Sequence, residues 1–297
     1  MRLSELCAAN SSFLECRDDY RNARIVLLGA PLDITSSFKM GSREAPQAIR
    51  AASQGLENYS PRLDRDLGEC AVYDAGDLLL PLGNLQGSLN MIGQACRLIA
   101  NDGKIPFMLG GEHLVTLPAV QAVAELMPGL VVLHFDAHAD LRDDYLGESL
   151  SHATVIRRIC DVVGGNNVYQ FGIRSGTRDE FQYGRTHTNF YPYEAAMTLR
   201  SCLTGLKGRP VYVTLDIDVL DPAYAPGTGT PEPGGLQPAE IFEILAMLQG
   251  LQVVGLDIVE LAPAYDPSGI TAMLVAKMTR ESLLALSRTA LPSRTQR

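Results

Sequence analysis

Long apolar runs are missing from this chain. No uncharged stretch in its 297 residues approaches the roughly 18 that a membrane-crossing helix needs. Positive charge is also in short supply. Lys and Arg number 25 against 34 Asp and Glu, a formal charge of −9. That balance argues against a nucleic-acid or anionic-membrane partner, because phosphate recognition needs a positive surface. It is compatible with a cationic substrate. The six cysteines (Cys7, Cys16, Cys70, Cys96, Cys160, Cys202) include no CxxC pair, and a chain of this size needs no covalent staples, so reduced thiols in a cytoplasmic protein are expected. Met1–Arg21 has no basic stretch leading into an apolar block, which speaks against a secretory signal there. Histidine is rare as well, with five in all. What the chain does have is apolar content, 46% against 20% charged residues, enough for a large core and too much for intrinsic disorder.

Short β-branched runs alternate with stretches of helical period. The strand candidates are Ile25–Leu28, Ala71–Tyr73, Ile105–Leu109, Leu130–Phe135, Asn167–Phe171, Val211–Leu215 and Val253–Ile258. Their near-continuous apolarity is that of strands buried on both faces of a parallel sheet. Leu85, Leu89, Ile92, Cys96 and Ile99 form one helical stripe. Pro238, Ile241, Leu245, Leu248 and Gly250 mark another, with proline first and glycine last. The alternation predicts an α/β fold with a mainly parallel sheet and helices on both faces. No linker or repeat divides it, so 1–297 reads as a single domain. Two Gly/Pro-rich segments interrupt the order, Gly29–Pro46 and Asp221–Gly235. Loops this long are usually functional. The second, with prolines at 222, 226, 231 and 233, reads as a stiff rim of a pocket or as a plain surface crossover.

Four strand candidates run into polar residues that make no sense as core: Glu112-His113, Asp136-Ala137-His138-Ala139-Asp140, Asp216-Ile217-Asp218 and Glu260. Ligands of open α/β sheets bind at the carboxyl ends of strands. Extended alternation would aim Asp136, His138 and Asp140 to one side, and Asp216 with Asp218. Four carboxylates converging with two imidazoles are costly to bury without cations. Two metal ions about 3.5–4 Å apart, bridged by shared carboxylates, would use all six groups. An oxygen-rich set with imidazole and no thiolate suits Mn²⁺ better than Zn²⁺, and two such ions make hydroxide available near neutral pH.

Other residues have two readings each. His152, in Ser151-His152-Ala153-Thr154, is a proton shuttle or a helix-start residue with a structural hydrogen bond. Glu260 is a receptor for a cationic group or half of a salt bridge. His187, in Arg185-Thr186-His187-Thr188, lies in a polar loop and reads as solvated. His134 shares a strand face with Asp136 and reads as a neighbour of the ligands rather than one of them.

The segments GGEH, DAHAD, SHAT, DIDVLDPAYAPGTGTPEPGG and DIVELAPAYD, in this order, resemble the ureohydrolase (arginase/agmatinase) family. The resemblance covers nearly the whole chain, from Gly29-Ala30-Pro31 to the final helix Thr271–Leu286. It implies a single three-layer α/β/α domain holding two Mn²⁺ ions. One metal would be bound by His113, Asp136, Asp140 and Asp216, the other by Asp136, His138, Asp216 and Asp218. It further implies that hydroxide, oriented by Asp140, attacks a guanidinium carbon. His152 would transfer the proton, and Glu260 would bind the guanidinium. Arg174 matches a family segment and is taken as structural.

The stretch Leu141–Ser149 is acidic, which suits an amine at the substrate's far end. With SHAT, LENYSPRLDRDL and PEPGG it resembles the family's bacterial agmatinases, implying agmatine plus water giving putrescine plus urea. The family's Arg-Pro-Gly reads Lys39-Met40-Gly41 here, which leaves guanidinobutyrate, guanidinopropionate and arginine as alternatives. A dinuclear phosphoesterase is disfavoured because His113 sits in GGEH rather than a GNH-type segment. A catalytically silent metal-binding regulator is disfavoured by the intact ligands with His152 and Glu260. The resemblance also implies a homo-oligomer, trimer or hexamer.

Overall fold

The computed structural model describes residues 2–8, 12–14, 16 and 19–287. All seven apolar runs become strands. In chain order the strands are β1 (Cys7–Ala8), β2 (Ile25–Ala30), β3 (Tyr59–Ser60), β4 (Arg65–Asp66), β5 (Val72–Leu78), β6 (Ile105–Gly110), β7 (Val131–Phe135), β8 (Val168–Phe171), β9 (Asn189–Tyr191), β10 (Pro210–Asp216) and β11 (Gln252–Val259). The helices are α1 (Ala45–Ser53), α2 (Leu85–Asn101), α3 (Thr116–Ala124), α4 (Val155–Val163), α5 (Arg178–His187), α6 (Ala195–Leu206), α7 (Pro238–Met247) and α8 (Ile270–Leu286). Nine of the strands form one sheet in the order β1-β5-β2-β6-β11-β10-β7-β8-β9. Its pairs are parallel except β1 with β5, which is antiparallel. β3 and β4 form a separate two-stranded pair.

Alternation along each strand divides the core in two. Ile25, Leu27, Phe107, Leu133, Val213 and Leu256 join residues of α1, α6, α7 and α8 on one face. Val26, Leu28, Met108, Val132, Tyr212 and Val254 join α2, α3 and α4 on the other. The result is the expected three-layer α/β/α arrangement, and both faces of the sheet are dry. The stripe on α2 behaves as its spacing predicts: Leu89, Ile92, Cys96 and Ile99 are buried, and the Asn84 side chain caps the helix by accepting the Gly87 N–H.

Chain order conceals one fact that strand order supplies. β6, β11, β10 and β7 are neighbours, so four polar strand ends from distant parts of the sequence meet at one sheet edge.

Candidate metal centre and substrate pocket

Asp136 follows β7 directly, and its N–H donates to the Phe171 carbonyl at the end of β8. The next residues stay bonded to the adjoining segment: His138 bridges Ser175, and Ala139 N–H donates to Ser175 O. Alternation therefore carries Asp136 and His138, as expected. It does not carry Asp140, whose φ of +51° turns the chain into the left-handed region. Nor does it carry Asp218, which lies in a 3-10 turn over Ile217–Val219 and donates its N–H to Asp216 Oδ1 at 2.9 Å. Glu260, just past β11, has φ +68°. Two candidate site residues thus hold a backbone conformation that side chains enter only under constraint.

The six expected ligands meet. His113 Nδ1 lies 3.0 Å from Asp136 Oδ2 and 3.3 Å from both Asp140 Oδ2 and Asp216 Oδ2. His138 Nδ1 is 2.9 Å from Asp218 Oδ2 and 3.6 Å from Asp136 Oδ1. Asp136 is common to both groups. The backbone N–H groups of Ala137 and His138 donate to Asp218 and Asp136 respectively.

Hydrogen bonds fix which imidazole atoms face this cluster. Thr214 donates its single hydroxyl proton to Asp257 Oδ1 at 2.6 Å, so it accepts from His113 Nε2 at 3.0 Å. The Nδ1 lone pair of a neutral His113 is left pointing among three carboxylates, buried and without a hydrogen bond. His134 works in reverse. Gln170 Nε2 donates to the Ala139 carbonyl and to His134 Nδ1, while Gln170 Oε1 accepts from Thr188. His134 Nε2 therefore carries the proton and donates to Asp136 at 2.8 Å. His134 is close enough to be grouped with the ligands, but its donor faces Asp136 and orients it, as its strand position suggested.

Burial sets the charge state of this cluster. Burial, then the neighbouring Asp136, raises the Asp140 carboxyl to about 7. Burial, then Asp218 and Asp136, pushes Asp216 well above the carboxylate range. Burial alone would lower His113, yet Asp136, Asp140 and Asp216 hold it well above its ordinary value. The cluster therefore gathers positive charge from protons. A buried imidazole nitrogen without a hydrogen bond among oxygen donors, with Asp136 shared by two groups, fits metal binding at a binuclear centre.

His113, His138, Asp140, Asp216 and Asp218 form one wall of a cavity of about 340 Å³. Glu260 and Glu180 also line it, with Ser36, Ser37 and Lys39 from the first Gly/Pro-rich loop and Gly229 and Thr230 from the second. Both long loops are thus pocket rims. Glu260 Oε1 accepts the His113 N–H at 2.6 Å, and burial, then the Glu112 charge, holds its pKa well above the usual range. This is a buried acid on the pocket wall rather than a salt-bridged strand end. His152 faces the cavity, packed edge-on against Tyr145 at 5.5 Å, and burial lowers its pKa to about 4. Arg174 donates to the carbonyls of Asp218, Val219, Leu220 and Glu232. It is a structural clamp on the second loop, as expected. His187 is exposed, at the end of α5 rather than in a loop.

The 141–149 stretch departs from expectation. Arg142 and Tyr145 line the cavity, whereas Asp143 pairs with Arg158 and Asp144 accepts the Gly147 N–H. The pocket's extra acid is Glu180, which accepts from Leu141 N–H and Thr177 N–H and sits 3.5 Å from Arg142. Sequence reasoning also missed Thr214, Asp257 and Gln170 and gave Glu112 no role. For the first three the available signal was a polar residue inside an otherwise apolar strand.

Sheet, cluster and pocket together define a metal-dependent hydrolase of α/β/α architecture. Residues 23–285 match the arginase family, and the chain belongs to that family. It is 49% identical over 275 residues to an agmatinase of Halalkalibacterium halodurans, covering 92% of this chain and 95% of that protein. It is 41% identical over 271 residues to the mitochondrial guanidino acid hydrolase of Homo sapiens, covering 87% and 77%. The solved structure of agmatine ureohydrolase of Thermoplasma volcanium matches with a TM-score of 0.84 at 33% identity, covering 95% of this chain and 96% of that one.

Proposed function

We propose that this protein is a di-manganese agmatinase that converts agmatine and water to putrescine and urea. The observation that carries the reading is the 2.6 Å hydrogen bond between Glu260 and the backbone of His113, which sets a guanidinium receptor beside the metal ligands in one cavity. The identity to an agmatinase supports the substrate. His113, Asp136, Asp140 and Asp216 would hold one ion, and Asp136, His138, Asp216 and Asp218 would hold the other. Carboxylate and imidazole donors without thiolate favour Mn²⁺. When bound, the ions supply a nucleophile from water near neutral pH. Glu260 is costly to ionise in its buried site, and a guanidinium supplies the missing positive charge. His152 is neutral near pH 7, since its pKa lies at about 4. It must take up a proton before it can deliver one to the departing amine nitrogen. The bond from the guanidinium carbon to that nitrogen breaks as the water oxygen joins the carbon. The protein is further read as one domain over 1–297, cytoplasmic, and assembled as a trimer or hexamer. The ends of that domain span lie outside the described residues.

A guanidino acid is the second reading. Lys39 and Arg142 line the cavity and could face a carboxylate tail, and the guanidino acid hydrolase relative is 41% identical. Urea release by Mn²⁺-loaded protein from agmatine, arginine, guanidinobutyrate and guanidinopropionate separates the two. Agmatine should turn over fastest. Brisk turnover of guanidinobutyrate with none of agmatine would overturn the substrate and leave the class intact.

A further inference from the structure

His152 is positioned by contacts from outside its own segment. It belongs to no strand and begins a single 3-10 turn, His152–Thr154, twelve positions beyond Asp140. Its place against the metal centre is set from elsewhere. Thr35 Oγ1 accepts the His152 N–H at 3.0 Å and lies 3.4 Å from its Nδ1, while Ser37 Oγ lies 3.2 Å from its Nε2. Both ring nitrogens therefore meet hydroxyls from one loop, residues 33–41. That loop is in turn held by one buried oxygen. Glu112 Oε2 accepts three successive backbone N–H groups, from Ile34 at 3.0 Å, Thr35 at 2.6 Å and Ser36 at 3.1 Å. The base of the loop is pressed against the same turn. Glu112 N–H donates to Leu32 O at 2.8 Å, and a Cβ on Gly111 would fall 1.9 Å from that carbonyl. Asp33 Oδ2 closes the loop by accepting the Gly41 N–H at 2.6 Å.

We propose that Glu112 is the positioning residue for His152, acting through loop 33–41 and the Thr35 and Ser37 hydroxyls. The inference rests on the reading of His152 as the proton-transfer group and extends it. Its physical basis is that Glu112 and His113 are consecutive. One turn after β6 therefore fixes both a metal ligand and, through the loop, the group that delivers the proton. A proton donor displaced by about 1 Å can lose on the order of a hundredfold in rate, which makes this linkage consequential.

Glu112 and Thr35 variants, alone and with His152→Ala, test the idea by urea release, metal content and amide exchange. Thr35→Val should lower kcat about tenfold with KM and metal per chain unchanged, and Thr35→Ser, which keeps the hydroxyl, should recover most of the loss. Glu112→Ala should lower kcat similarly and speed exchange at Ile34, Thr35 and Ser36. Glu112→Gln, which keeps an acceptor oxygen, should do less. In a His152→Ala background neither Thr35→Val nor Glu112→Ala should lower kcat further, because each acts through the missing ring. If Glu112→Ala does not fold, the Thr35 pair still decides the matter. Multiplicative losses in the double variants, or a rise in KM with kcat intact, would overturn the proposal. If His152→Ala alone has normal kcat, the proton-transfer reading falls first and the positioning role with it.

Discussion

Asp216 shows how much one carboxylate carries in this protein. Its Oδ1 accepts the Asp218 N–H and its Oδ2 lies beside His113 Nδ1, so it ties two ligand groups together from the last residue of β10. Replacing it with asparagine keeps the shape and removes a charge that two cations would share. Asp216→Asn should lower the metal retained per chain and reduce urea release by roughly a hundredfold or more, since even changes to residues that merely support ligands cost 10–100-fold. Burial and like charge raise the Asp216 pKa, so the same variant should melt no lower than the parent when metal-free. Metal analysis beside melting curves checks both halves. His152→Ala should separate the roles the other way, with two metals per chain retained and kcat lowered roughly a hundredfold. A variant that also loses metal would place His152 among the structural residues.

Among the elements, the loop from Asp221 to Gly235 shows how an irregular segment becomes a fixed wall. Its prolines limit the unfolded ensemble, the Asp221 side chain accepts the N–H groups of Ala223, Gly234 and Gly235, and Arg174 donates into carbonyls before and within it. Removing that guanidinium leaves several carbonyls unpaired. Arg174→Ala should cost about 2–4 kcal/mol in denaturant unfolding and raise KM more than it lowers kcat, because Gly229 and Thr230 line the pocket. Unchanged stability would mean that the prolines and Asp221 hold the loop without Arg174. Away from this loop, Arg50 is fully buried between Asp74, at 2.9 Å, and Asp77. It ties α1 to β5 and has no part in the pocket.

For the whole molecule, two buried groups set opposite pH dependences. Asp140 stands at about 7 in the metal-free fold against an ordinary 3.8. The folded state keeps a proton there that the unfolded chain has released, so this group lowers stability as pH rises through that interval. His152 stands at about 4 against 6.5. The unfolded chain binds its proton first, so stability is lost as pH falls from 6.5 toward 4. Metal must displace the protons held on Asp140, Asp216 and His113, so affinity should climb as pH rises. The rise in melting temperature on adding Mn²⁺ should therefore be larger at pH 8 than at pH 6, with proton release on binding at both. Equal shifts at both would show that these protonated groups do not bind the metal. The sequence by itself determined the strands, because apolar β-branched runs are a local property, and it determined the ligand types, because aspartate and histidine directly after such runs have no place in a core. It could not determine that β6, β11, β10 and β7 lie side by side, since strand order is settled by packing between distant segments. Nor could it find Glu112 reaching back to residues 34–36, or Gln170 and Thr214 fixing the faces of two imidazoles. Those contacts join positions tens of residues apart. Only the tertiary structure also moved the substrate pocket's acid from the 141–149 stretch to Glu180, because side-chain direction there follows turns rather than alternation.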